Sequence, residues 1–76
     1  MNKEELKSIG VKLYAYGWQT HLAKALGITP QHFRRYVSGK SVIPESKQQH
    51  IYMMYFLYKN NLWFDFQAYI LNKKIN

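Results

Sequence analysis

The sequence predicts a small all-α bundle of about five helices. Apolar residues recur at helical spacing through most of the chain, and glycines and prolines fall where helices would stop and start. With 76 residues the chain is expected to form one domain, 1–76, which buries a modest core and encloses no deep active site.

Met1 to Lys3 is expected to be a frayed start. Glu4 and Glu5 then occupy a first helical turn, where a carboxylate favours the positive end of the helix dipole. Leu6, Ile9 and Leu13 form an apolar stripe. Gly10 either weakens this helix by up to about 1 kcal/mol relative to Ala or marks a close contact with another helix. Gly17 is expected to close the helix. Tyr14, Tyr16 and Trp18 are expected to cover a core rather than stack on bases.

The next stretch, Gln19 to Lys40, organises the rest. Leu22, Ala23 and Leu26 fall at helical spacing, and Gly27 follows where a helix end wants a residue tolerating positive φ. Thr29 can cap a new helix with its hydroxyl, and Pro30 suits the first helical position, where no backbone donor is needed. Ile28 is apolar and is expected in the corner where the two helices cross. Small Ala23 fits a close crossing over a three-residue turn. Advancing 100° per residue from Pro30, about one-third of a turn less a little, gathers Phe33, Tyr36 and Val37 on one side. Gln31, Arg35 and Ser38 gather on the opposite side, flanked by Arg34 and His32. That outer face carries two guanidiniums and no carboxylate, which suits the edge of a DNA major groove.

Residues 18 to 44 resemble the helix-turn-helix of the phage repressor and Cro-like DNA-binding domains. The carriers are Gln19, Leu22-Ala23, Leu26-Gly27-Ile28-Thr29, Phe33, Tyr36 and Gly39. The resemblance implies a lambda repressor-like bundle that binds double-stranded operator DNA. It implies that Gln31, Arg34 and Arg35 read base edges, and that Gln19 and Lys40 hold phosphates. Thr29, His32 and Ser38 join the expected phosphate contacts. Pro30 departs from the pattern, standing where many relatives carry a base-reading side chain, so the readout shifts toward Gln31, His32, Arg34 and Arg35.

Beyond Gly39 a loop runs to Ile43, and Pro44-Glu45 begins a fourth helix expected to reach Lys59. Its segment Ile51 to Tyr58 is apolar nearly all round and is expected to be buried by more than one neighbour. Asn60-Asn61 breaks the pattern. Asp65 is expected to cap a short helix from Phe66 to about Lys73, with Lys73 and Lys74 at its C-terminal dipole; Gln67 to Leu71 suits a strand as well. Residues 60–76 carry more apolar surface than a monomer of this size hides, so Tyr55, Trp63, Phe64, Phe66, Tyr69 and Ile70 are expected at a homodimer interface. The alternative is that this segment folds back to finish the monomer's core.

Charge agrees with a polyanionic partner. Eleven Lys and Arg against four Asp and Glu give a net charge of +7. The four acids, Glu4, Glu5, Glu45 and Asp65, all lie outside Leu6 to Pro44, which holds Lys7, Lys12, Lys24, Arg34, Arg35 and Lys40. Lys24 is expected to be a surface residue. The absence of cysteine excludes disulfides and thiolate metal sites. His21, His32 and His50 lack a ligand spacing, no GxSxG turn or glycine-rich cradle is present, and the acids sit where capping explains them. No enzyme activity, metal or cofactor is therefore expected, and no small-molecule pocket is legible. Without a signal or a membrane-length apolar run, a cytoplasmic, nucleoid-associated protein of bacterial or phage type is the expectation. A competing expectation from another class is a protein-interaction module, an antitoxin or adaptor, whose aromatic C-terminal part binds another protein.

Overall fold

The computed structural model describes residues 1–75, with side chains through Lys73. The expected place of Lys74 at the last helix's dipole, and the end of the expected 60–76 dimerisation segment, lie outside the described residues. Five helices follow one another: α1 (Lys3–Tyr14), α2 (Trp18–Ala25), α3 (Pro30–Ser38), α4 (Glu45–Lys59) and α5 (Trp63–Ile75). The described residues form no strand, so the strand alternative for Gln67 to Leu71 is set aside: those residues lie within α5.

α1 is the element that the others share, packing against α2, α3 and α4. Its first turn is fixed by Asn2, whose side chain accepts the Glu5 N–H at 2.8 Å. Leu6, Ile9 and Leu13 are buried as the stripe requires. Gly10 is buried too, and a Cβ there would lie 2.8 Å from Cζ3 of Trp18. The glycine thus marks a close approach of the Trp18 indole to α1.

α1 ends at Tyr14 rather than Gly17. Ala15 turns the chain with φ 56° and ψ −120°, a conformation normally left to glycine that costs an alanine on the order of 1–3 kcal/mol. Gly17, at φ 74°, becomes the N-cap of α2. Of the three aromatics expected to cover the core here, Trp18 is buried and Tyr14 half-buried. Tyr16 is 98% exposed and does not, because the turn at Ala15 swings it outward.

The ends of α2 and α4 are built alike. The Gly27 N–H donates to the Lys24 carbonyl and Ile28 N–H to Ala23, both at 3.1 Å, with Gly27 at φ 72°. At the end of α4 the Asn61 N–H donates to Tyr58 and Leu62 N–H to Leu57, with Asn61 at φ 59°. Both are the paired bonds that satisfy the last carbonyls of a helix when the next residue turns left-handed. Lys47 adds a tertiary cap, its ammonium donating to the Leu26 carbonyl at 2.8 Å. α4 is thereby tied to the end of α2.

α4 buries one face only. Ile51 and Met54 are in the core, whereas Tyr52, Met53 and Phe56 are exposed, so the expectation of burial all round fails. α1 and α5 are its neighbours, and they cover one side. α5 starts three residues earlier than expected, because Leu62 completes the end of α4 and at once accepts the Phe66 N–H at 2.9 Å. Asp65 therefore lies in the first turn and is not the cap. Trp63, expected at a dimer interface, is instead 2% exposed. Its indole N–H donates to the Leu13 carbonyl at 3.0 Å, across a separation of 50 residues, and its ring meets Tyr14 edge-on. It completes the monomer's core.

No described helix is long and apolar enough to cross a membrane.

Candidate nucleic-acid interface

α2, a short turn and α3 set the geometry of the basic face. Thr29 is extended at φ −72°, ψ 152° and its hydroxyl accepts the His32 N–H at 3.1 Å, with Pro30 opening the helix. α3 thus starts where the Thr-Pro pair places it. Its inner side is locked by Phe33 and Tyr36, 1% and 5% exposed. Phe33 meets Trp18 edge-on at 5.9 Å between ring centroids, and Tyr36 edge-on at 6.3 Å. Ala23, fully buried in α2, and the half-buried Ile28 of the turn belong to the same core. Rotation of α3 about its own axis would break these contacts, so the opposite side is held outward.

That opposite side carries Gln31, Arg34, Arg35 and Ser38, all exposed. Thr29, His32 and Lys40 are exposed at its edges, and Gln19 is exposed in the first turn of α2. The structure therefore gathers the three expected base-reading residues on one turn-and-a-half of helix surface. It also qualifies several of the others. His32 Nε2 is 2.9 Å from the Tyr36 hydroxyl, which satisfies a buried phenol and fixes the imidazole against α3. The Ser38 hydroxyl donates to the Arg35 carbonyl at 3.2 Å, so it must turn before it can donate elsewhere. Thr29 only accepts in its cap, which leaves the hydroxyl proton to offer. Gly39, at φ 82°, ends α3 and sets the direction in which Lys40 leaves.

One exposed side chain near this face went unassigned in the sequence. Val42 is 89% exposed, two residues past Lys40, and neither charge nor periodicity marks it.

The residues expected at a dimer interface divide. Phe64 and Tyr69 are exposed, Tyr55, Phe66 and Ile70 are half-buried, and Trp63 is inside. Tyr55 is held by cations, with the Lys12 and Lys59 ammoniums 5.4 and 4.8 Å from its ring centroid and Lys12 donating to its hydroxyl at 3.2 Å. The exposed apolar residues that the expectation left out include Met53, Phe56 and Leu71, 61%, 63% and 60% exposed.

No three His, Asp or Glu side chains among the described residues converge as metal ligands would. No family model, no curated protein and no solved structure matches the chain.

Proposed function

We propose that this chain is a sequence-specific regulator that binds double-stranded DNA, a homodimer of repressor or Cro type that reads a palindromic operator through the major groove. The observation that carries the reading is the outer face of α3. It holds Gln31, Arg34 and Arg35, exposed side by side on a helix whose inner face is locked by Phe33 and Tyr36. No carboxylate occurs between Leu6 and Pro44 to oppose a phosphate backbone.

In this mechanism α3 enters the groove with its side chains toward base edges. Arg34 or Arg35 pairs with guanine O6 and N7 and Gln31 with adenine N6 and N7, each good pair discriminating by about 1–3 kcal/mol. Gln19, Thr29, Lys40 and the flank formed by His32 and Ser38 hold phosphates and fix the register. Two copies read two half-sites whose centres lie about 34 Å apart or a multiple of it.

The test is fluorescence anisotropy of the purified protein with DNA from upstream of its own gene and with scrambled DNA, across a range of salt. A preference of about a thousandfold or more for the upstream DNA, with both affinities falling as salt rises, supports the reading. Equal affinities at every salt concentration count against base readout.

A second reading draws on the exposed apolar residues of α4 and α5, Met53, Phe56, Phe64 and Leu71: an antitoxin or adaptor that uses such side chains to hold a different protein. Homodimers that stay soluble alone and bind DNA speak against it. A protein that aggregates until a second chain is co-expressed speaks for it.

A further inference from the structure

A cleft of about 400 Å³ opens between α2, α4 and α5, within the range of about 300–1,000 Å³ typical of small-molecule sites. Its chemistry is two-sided. The buried Met54 and half-buried Phe66 and Ile70 line it with apolar surface, while His21, Lys24 and His50, all exposed, stand around it. No Asp or Glu lines it. An ammonium and two imidazole rings with no carboxylate among them, beside an apolar floor with an aromatic ring and a polarizable thioether, match a ligand that carries a carboxylate on an aromatic body.

We propose that this cleft is a binding site for a small aromatic carboxylate of one or two rings, held with its rings against Met54, Phe66 and Ile70 and its carboxylate among Lys24, His21 and His50. The site is partly ordered in advance: the His21 ring stacks on Tyr14 at 5.5 Å between centroids with 24° between planes, which reduces the freedom lost on binding. Tyr14 lines the same cleft. Burial pushes its hydroxyl above the ordinary tyrosine value, so it remains a neutral donor beside the anion. Gln67 supplies an amide at the wall. α3 contributes no residue to the cleft. A bound carboxylate therefore leaves the outer face of α3 uncovered, and the site stands whether or not that face reads DNA.

The experiment uses 2-naphthoate as the probe and 2-naphthalenemethanol, its neutral counterpart, as the control, each titrated into the full chain without DNA and followed by amide and imidazole NMR shifts. Naphthoate is expected to saturate with a Kd of about 0.1–1 mM, in keeping with the affinity per atom of small ligands. Its shifts should centre on Ala25, His50, Gln67 and Ile70, and the alcohol should bind at least about tenfold more weakly. The double variant Lys24→Gln, His50→Gln, both at exposed positions, should keep the wild-type spectrum elsewhere and lose about tenfold in naphthoate affinity while the alcohol is unchanged. Equal binding of the two probes, shifts spread over Met53, Phe56 and Phe64 instead of the cleft, or no saturation by about 5 mM would each overturn the proposal. Repeating the titration with a short duplex in place of naphthoate separates the remaining source of anions: shifts at Lys24 and His50 with the duplex alone assign these side chains to a DNA backbone and likewise overturn it.

Discussion

Gly10 sits inside α1, where alanine would add up to about 1 kcal/mol of helix propensity. The Trp18 ring occupies the space that a methyl group needs, and overpacking of this kind costs about 1–3 kcal/mol. Gly10→Ala should therefore lower the urea midpoint, the opposite of the propensity rule. On the proposed DNA-binding function, the basic residues divide by role. Arg35→Ala should relax preference at one base position, while Lys40→Ala should weaken binding to all sequences alike and reduce the salt slope by about one. Anisotropy with an operator and its single-base variants distinguishes the two; intact sequence preference in Arg35→Ala would place base reading elsewhere. The orientation of Gln31, Arg34 and Arg35 was legible in the sequence, because a 100° step and two buried aromatics suffice to define an outer face. The engagement of His32 with Tyr36 was legible only as a spacing of four residues. The cleft was not legible at all, since His21, His50 and Phe66 come from three helices and no local spacing joins them.

At the scale of elements, legibility followed how much of each boundary was chemical. Gly27, Thr29 and Pro30 act on the backbone within a residue or two of themselves, so the turn between α2 and α3 falls where they place it. Ala15 has no such signature. It takes a glycine-like conformation between the buried Leu13 and Trp18. The start of α5 was obscured for a related reason: Asn61 takes the left-handed position and Leu62 is consumed in closing α4, so Asp65 arrives too late to cap. The docking of α5 depends on Trp63. Trp63→Phe keeps most of the apolar ring but leaves the buried Leu13 carbonyl without its donor, a loss of about 1–3 kcal/mol that chemical denaturation should register. If stability did not change, the 3.0 Å bond would contribute nothing net to holding α5 in place.

For the whole molecule, the question is what covers Met53, Phe56, Phe64 and Leu71. The protein measures 38 × 24 × 24 Å. A homodimer formed through α4 and α5 should appear in light scattering at micromolar concentration. Phe56→Lys with Phe64→Lys, at positions 63% and 78% exposed, should give a folded monomer whose operator affinity falls by tenfold or more, about 1.4 kcal/mol. A doubly substituted protein that still dimerised would move the interface off this surface. Burial of Trp63 shows why composition alone overstated that surface: part of the aromatic excess in residues 60–76 finishes the monomer, and only the remainder stays outside.

The two tryptophans fasten different elements to one stretch of α1. Trp18 rests on Gly10 and Phe33, among α1, α2 and α3, while Trp63 bridges α5 to the last turn of α1. Each indole thus reports on a different docking contact, and proteins cooperate only as far as such contacts are coupled. Followed by the fluorescence of Trp18→Phe and Trp63→Phe proteins in turn, and referred to helix content measured on the same samples, unfolding should show whether α5 peels away first. Its helix packs chiefly on α4, so the Trp63 signal should move at a lower denaturant concentration, relative to the helix content of its own variant, than the Trp18 signal does. Coincident curves would instead mean that α5 and the helices it packs against melt as a single unit.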